Sequence, residues 1–256
     1  MKPSDMTDVR VFLGCAGWGV ASGQAAAFGP GESVLQRYAT RLTAVEINSS
    51  FYRPHRRSTY ERWAASVPDP FRFSVKVPRA ITHEARLREA QPLLEAFLQQ
   101  ATGLGRHLGC LLVQLPPSLA FEEALATAFF QELRTQTSLP VACEPRHASW
   151  FGPEADVLLA AHRIGRVAAD PARLPNAAVP GGWPQTVYYR WHGSPRMYFS
   201  SYPDSALRGL AQRLQHAPDA GPAWVIFDNT AAGAAADNAL TLLGLLGLEE
   251  APLSEL

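Results

Sequence analysis

Eight segments with the apolar, β-branched composition of strands recur along this chain, and most are followed by a segment with helical spacing of its apolar residues. Such alternation predicts a parallel sheet covered by helices. Eight repeats in 256 residues is also the number that builds a closed (β/α)8 barrel, which typically needs about 250 residues. The predicted strands cover residues 11–18, 44–52, 71–78, 109–117, 140–147, 165–171, 186–193 and 223–229.

The segments that connect the predicted strands complete the fold prediction. Helices are predicted at residues 33–39, 59–65, 91–102, 122–134, 156–162, 205–216 and 237–246. The sixth connection, residues 172–185, is interrupted by prolines and glycines and predicts no helix. We therefore predict an α/β fold, a single TIM-type barrel domain over residues 1–256 with a core of about 11–246 and an irregular sixth crossover. A doubly wound open sheet is the alternative, but its central strands are normally apolar on both faces.

Composition restricts the class of protein. The chain has no formal net charge and a pI near 7.1, which weighs against a protein that holds nucleic acid along its length. The polar N-terminus lacks the apolar core of a signal peptide, and no apolar run reaches 18 residues, so we expect a cytoplasmic protein without a membrane span. Three widely spaced cysteines predict buried thiols in a reducing compartment, with a reactive Cys15 as the alternative. The oligomeric state stays open.

Several predicted strands carry polar residues near their carboxyl ends, on one side of the pleat. Alternate residues of a strand share a face, so Glu46 lies with Asn48, and Arg190 lies with His192. In a TIM-type barrel such residues surround one mouth, where active sites lie. The residues that this argument brings together are Glu46, Asn48, Ser74, Lys76, Gln114, Glu144, Arg146, Asp170, Arg190, His192 and Asp228.

These residue types suggest acid/base chemistry on an anion. Glu46 and Glu144 are predicted as an acid/base pair, with Lys76 and His192 as further catalytic residues. Arg146 and Arg190 would grip a phosphate or carboxylate. The predicted substrate-binding residues also include Asn48, Tyr52, Gln114, His147, Trp150, Asp170 and Asp228, with the aromatic members stacking on a sugar or base or packing at the rim.

No metal site is predicted. His147 and His192 are candidate ligands, but neither lies in a spacing such as HExxH, and three nearby cations oppose a metal ion. His192 is equally plausible as a hydrogen-bonding partner of another site residue, and His147 as a surface residue. The sequence leaves any cofactor unknown.

A family resemblance rests on motifs that cover nearly the whole core. GCAGW, AVEINSSFYRP, FSVKVPRAITH, LGCLLVQLPP, EPRHASWF, YYRWHG and FDNTAAGAAADNA, in this order, resemble the YecE-like family, known as domain of unknown function 72. The resemblance implies a TIM-barrel-type fold and no established activity. It carries over Glu46, Asn48, Tyr52, Arg53, Lys76, Thr82, His83, Gln114, Glu144, Arg146, His147, Trp150, Arg190, His192, Gly193, Asn229 and Asn238, and so adds Asn229 to the binding residues.

Two positions depart from the family pattern. Asp228 stands where the family often has Asn, and Pro145 stands where an aromatic residue is common. The first departure adds a negative charge to the predicted site. The identity of a family ligand is therefore less transferable to this chain.

The leading hypothesis is a hydrolase, lyase or isomerase that acts on a small anionic, sugar-like or nucleotide-like substrate. A metabolite-binding module without turnover is the second hypothesis. Metal-dependent nucleic-acid processing is the third and rests on fold analogy alone. A network of ion pairs that only stabilises the fold is the remaining interpretation of the same charges.

Overall fold

The computed structural model describes residues 11–216 and 221–248 and confirms the α/β class. The strands are β1 (Val11–Cys15), β2 (Ala44–Ile47), β3 (Arg72–Lys76), β4 (Leu108–Gln114), β5 (Val141–Glu144), β6 (Ile164–Arg166), β7 (Ala168–Asp170), β8 (Gly181–Gly182), β9 (Val187–Trp191) and β10 (Ala223–Phe227). The α-helices are α1 (Val34–Tyr38), α2 (Arg57–Ala64), α3 (Gln91–Ala101), α4 (Glu123–Gln136), α5 (Pro153–Ala161), α6 (Asp204–Gln215) and α7 (Ala234–Leu245).

Each predicted strand and helix has a counterpart at the expected place. The sixth predicted strand differs in that it is divided into two short strands, β6 and β7. The sixth connection is irregular, as predicted, with one turn of 3₁₀ helix at Pro175–Ala178 and the two-residue β8. None of the helices in the two described ranges is long and apolar enough to cross a membrane.

The strands form two sheets, so the predicted single closed barrel is not confirmed. One sheet has the order β1-β10-β9-β7 and the other β2-β3-β4-β5-β6-β8. Neighbouring strands are parallel except for the β6–β8 pair, which is antiparallel. The two sheets adjoin where β1 lies beside β2 and where β6 continues into β7.

Side chains interrupt the backbone ladder between β1 and β2. The Tyr38 hydroxyl accepts a hydrogen bond from the backbone N–H of Cys15 (2.7 Å) and donates to the carbonyl of Ala44 (2.9 Å). The Thr43 hydroxyl similarly accepts from the N–H of Leu13 (3.0 Å). A single backbone bridge, between Ala16 and Glu46, remains. The backbone groups are thus satisfied by hydroxyls, and strand pairing is not needed there.

At the other junction, one run of chain serves both sheets. β6 pairs with β5 and β7 pairs with β9, and Val167 between them donates its N–H to the carbonyl of Cys143 (2.8 Å). A strand that serves two sheets places the carboxyl ends of β5 and β9 on the same side of the molecule.

Two apolar layers follow from the alternation of side chains. The larger layer packs the strands against the helices. The smaller one contains inward-facing residues of both sheets, among them Leu112, Ala142, Tyr188 and Ile226. This inner cluster is apolar except for hydroxyl, thiol and indole N–H groups, and the polar residues of the strands lie nearer their carboxyl ends.

Candidate functional site

The carboxyl ends of five strands bring seven charged or titratable side chains together. We call this group the charged cluster; it consists of Glu46, Lys76, Glu144, Arg146, Arg190, His192 and Asp228. The members come from β2, β3, β5, β9 and the residues directly after β5, β9 and β10. The cluster therefore joins both sheets.

Arg190 lies at the centre of the charged cluster with 1% of its surface exposed. Its Nη2 and Nε donate to the two carboxylate oxygens of Glu46 at 2.7 and 2.9 Å. Its Nη1 is 3.1 Å from Oε2 of Glu144, and its Nη2 is 3.0 Å from Oδ2 of Asp228. A planar guanidinium with five N–H donors suits such a bridge. The three carboxylates stabilise its positive charge and raise the pKa of Arg190, although burial alone would lower it.

His192 lies between two carboxylates and two guanidinium groups. Its Nε2 is 2.9 Å from Glu144 and its Nδ1 is 3.0 Å from Asp228. Arg146 Nη2 lies 3.3 Å from the same Nε2, and Arg190 Nη1 lies 3.5 Å from Nδ1. A protonated ring nitrogen can donate to its carboxylate, and an unprotonated one can accept from its guanidinium. The imidazole thus has a partner for each nitrogen in either state.

Glu144 and Asp228 stay ionised because cations surround them. Burial alone would raise the pKa of Glu144, but Arg146 and Arg190 lower it well below the usual value. Burial likewise opposes the effect of Arg190 and His192 on Asp228, whose pKa is lowered overall. Both groups are therefore proton acceptors only when a neighbouring cation is displaced or neutralised.

Lys76 contributes an ammonium group that makes no ion pair among the described residues. Its Nζ donates to Oδ1 of Asn48 (3.0 Å) and lies 4.2 Å from the centre of the Phe51 ring. Burial and the charge of Arg190 together lower the pKa of Lys76 to about 8, against the opposing effect of the three carboxylates. A lysine with this pKa exists partly as the free amine near neutral pH.

Tyr188 forms the floor of the charged cluster and was missed by the sequence argument. Its hydroxyl contacts Oε2 of Glu46 and Oγ of Ser74, both at 3.0 Å. Because Tyr188 lies two residues before Arg190 on β9, the same alternation that selected Arg190 and His192 would have identified it.

The outer boundary of the charged cluster is formed by Arg146 and Tyr198. The Arg146 side chain is 15% exposed, and its buried Nε has no hydrogen-bond partner among the described residues. The Tyr198 ring centre is 5.9 Å from that of His192, and 41% of Tyr198 is exposed. Tyr198 has a φ of 69°, which is uncommon for a residue with a side chain, and no local sequence pattern predicts it.

Some predicted binding residues lie beside the charged cluster instead of within it. Gln114 is in register with Glu144 on the neighbouring strand. Asp170 accepts from the hydroxyl of Tyr202 (2.8 Å), and Asn229 donates to Oδ1 of Asn238 (2.8 Å). These contacts hold the loops after β7, β9 and β10 together.

Three further predicted binding residues have other surroundings. Trp150 is buried, and its indole N–H donates to the carbonyl of Leu119 (3.0 Å), a packing role. His147 caps the short turn that follows β5 by accepting from the N–H of Ser149 (3.2 Å). Tyr52 is 68% exposed and packs edge-on against Phe51, 5.0 Å between ring centres. Of these three, Tyr52 is the most exposed.

Within residues 11–216 and 221–248, no group of three or more His, Cys, Asp and Glu side chains has an arrangement that would hold a metal ion. The charged cluster itself contains three carboxylates, Glu46, Glu144 and Asp228. Its three cationic residues are Lys76, Arg146 and Arg190. These charges are balanced within the chain when His192 is neutral.

Two curated relatives, both named UPF0759 proteins, are similar to this chain. UPF0759 protein YecE of Escherichia coli K12 is 31% identical over 125 residues, which are 47% of this chain and 44% of YecE, so the matched region spans less than half of that relative. UPF0759 protein YunF of Bacillus subtilis is 24% identical over 276 aligned positions, covering 95% of this chain and 97% of YunF.

Solved structures agree with the fold. A DUF72 family protein from Enterococcus faecalis superposes with a TM-score of 0.75 at 25% identity, over 93% of this chain and 98% of that protein. A xylose isomerase-like TIM barrel/4-hydroxyphenylpyruvate dioxygenase fusion protein gives 0.51 at 14% identity, over 92% of this chain and 43% of the fusion, a likeness of fold alone. The family model described as "Protein of unknown function DUF72" matches residues 12–255. This chain therefore belongs to the DUF72 family of proteins of unknown function.

Proposed function

We propose that this protein is an enzyme, a hydrolase, lyase or isomerase, that performs acid/base chemistry on a small anionic, sugar-like or nucleotide-like compound. The observation that carries the proposal is the position of His192 between two carboxylates and two guanidinium groups. An imidazole with a partner in both protonation states can take up and release a proton without leaving a buried group unpaired. Mere stabilisation of the fold does not require that property.

The proton-transfer pair in this proposal is His192 with Glu144, a revision of the predicted pair Glu46 with Glu144. Glu46 is fully buried and accepts hydrogen bonds from Arg190 twice and from Tyr188. None of these partners is His192, whereas Oε1 of Glu144 lies 2.9 Å from Nε2 of His192. We assign Glu46 the positioning of Arg190.

Arg146 and Lys76 are the proposed anion-binding groups. Arg190, predicted for this role, directs its donors at three protein carboxylates. Among the residues that the structure describes, Arg146 Nε has no hydrogen-bond partner, and the Lys76 ammonium uses one of its three donors. A phosphate or carboxylate near both would gain charge-assisted hydrogen bonds and raise the pKa of Lys76.

We further propose that the two sheets together act as one eight-stranded barrel, with β6 and β7 as a single strand. The Ala16–Glu46 bridge and the hydrogen bond from Gly17 N–H to the Glu46 carbonyl (2.9 Å) support closure at one junction. The hydrogen bond from Val167 to Cys143 supports it at the other. The charged cluster then lies at the carboxyl-end mouth, the position of active sites in TIM barrels.

A thermal-shift screen of sugars, sugar phosphates, nucleotides and carboxylates tests the proposal. We expect at least one anionic compound to raise the Tm of the wild type, and Arg146→Gln and Lys76→Met to reduce that shift. His192→Asn should retain the shift and lose turnover of the bound compound, whereas the exposed His216→Asn is the matched control with normal turnover. Absence of any hit, or a shift unchanged in both binding variants, would count against it.

Binding without turnover is the second candidate. The internal balance of three carboxylates and three cations favours it, because such a cluster is stable without a catalytic role. Chemical analysis of each bound compound after long incubation separates the two. If every compound that binds is recovered unchanged from the wild type, the chain is a binding module.

A further inference from the structure

A cavity apart from the charged cluster lies next to the loops that follow β2 and β3, against helices α2 and α3. Its volume is about 380 Å³, within the range of about 300–1,000 Å³ that small-molecule sites occupy. The walls are mostly apolar and aromatic and include Phe51, Tyr60, Ile81 and Phe97. None of the seven members of the charged cluster lines it.

Apolar surface at this cavity remains open to solvent. Tyr52 is 68% exposed and Leu93 is 41% exposed, and both are lining residues. Large side chains exposed next to an apolar concavity are typical of a binding site, because a ligand would remove both from water.

The rim of the cavity is positively charged. Arg53, Arg79 and Glu84 are its charged lining residues. Arg79 Nε is 3.0 Å from Glu84 Oε1, whereas Arg53 makes no ion pair in the described part of the chain. One guanidinium is therefore left to attract an anion beside an apolar interior.

We propose that this cavity binds a small amphipathic anion, with an aromatic or aliphatic body among Phe51, Ile81 and Phe97 and a carboxylate or sulfonate at Arg53. The complementarity of an apolar wall and a net positive rim carries this assignment. The site is separate from the proposed proton-transfer chemistry, and its failure would leave that proposal intact. Phe51 is the point of contact between the two, since the Lys76 ammonium lies over its ring.

Fluorescence titration with anilinonaphthalene sulfonate, an apolar dye with one anionic group, tests the proposal. We expect saturable binding to the wild type, and displacement by indole carboxylate at lower concentration than by neutral indole. Ala96→Trp places a large ring at the lining of the cavity from an exposed position of α3, and should weaken dye binding at least about tenfold. Ala128→Trp, at an exposed position of α4 that does not line the cavity, is the matched control and should leave dye binding unchanged.

A charge variant tests the anionic part of the assignment. Arg53→Gln should weaken dye binding about two- to fivefold, the range of an exposed ion pair, and Arg62→Gln on exposed α2 should leave it unchanged. Near-ultraviolet circular dichroism checks that each variant is folded. Dye binding that Ala96→Trp does not reduce, or equal displacement by the charged and neutral indoles, would overturn the proposal.

Discussion

Replacing Arg190 with methionine is the sharpest test of how the two sheets are held together. The guanidinium of Arg190 contacts Glu46, Glu144 and Asp228 through four distances of 2.7–3.1 Å. Methionine has a similar length but no charge and no donor. The variant would leave three buried carboxylates without their common partner.

The expected loss is about 3–5 kcal/mol of the free energy of unfolding at neutral pH, the usual cost of removing one partner from a buried ionic group. Counting each of these four contacts as a charged hydrogen bond of about 1.5–3 kcal/mol would give roughly 6–12 kcal/mol. That sum is too large because the contacts share one guanidinium, and because the carboxylates can take up protons once it is gone.

The pH dependence of the loss follows from the pKa shifts. In the wild type, cations that include Arg190 lower the pKa of Glu144 and Asp228, so these groups stabilise the fold above their unfolded pKa values of about 4. In Arg190→Met the folded pKa values rise, and the folded variant takes up protons as the pH falls. The stability difference should therefore be largest near pH 7 and smaller near pH 5.

Urea denaturation of the wild type and variant at both pH values measures this difference. Arg88→Met is the matched control, because Arg88 forms an exposed pair with Glu122 at 3.3 Å and should cost less than about 1 kcal/mol. A loss in Arg190→Met no larger than in Arg88→Met, or one independent of pH, would refute the reasoning.

Three further predictions follow from the same structure. Tyr188→Phe removes a buried hydroxyl and should cost about 1–3 kcal/mol by urea denaturation, with a neutral effect contradicting its role as a donor. Because burial lowers the pKa of Lys76 to about 8, the wild type should gain stability relative to Lys76→Met between about pH 8 and pH 10, and a constant gap would show that the shift is absent. Burial raises the pKa of Cys15 and Cys110 to about 12 and that of Cys143 as well, so a thiol reagent should react with none of them until the protein is unfolded; rapid native labelling would contradict this.

The order of elements was predictable because it depends on local spacing. Alternating Phe71, Phe73 and Val75 indicated β3, and prolines and glycines in residues 172–185 indicated that no regular helix forms there. The closed barrel was not confirmed, because hydroxyls of residues just before β2 take the place of backbone pairing between β1 and β2. Tyr38 and Thr43 give no local sign that their side chains will replace backbone hydrogen bonds.

The candidate site was also predictable in part, from the same local spacing of residues. Alternation selected Glu46, Glu144, Arg190 and His192 as residues on one face, and the structure brings them into contact. It also selected Asp170, which instead holds the loop of Tyr202. The position of a residue on a strand predicts the face of the sheet on which its side chain lies. It does not predict which other side chain it contacts.

The sequence by itself determined the α/β class, the faces on which charges lie and the family, since each depends on residue types at short, fixed intervals. The tertiary structure alone decided which cation meets which carboxylate, the place of Tyr188 and Tyr198, and the division into two sheets. These outcomes depend on rotamers and on contacts between residues far apart in the sequence, such as Glu46 and Arg190, which are 144 positions apart. Contacts between residues so far apart leave no periodic pattern in the sequence, because the packing of the whole fold determines them.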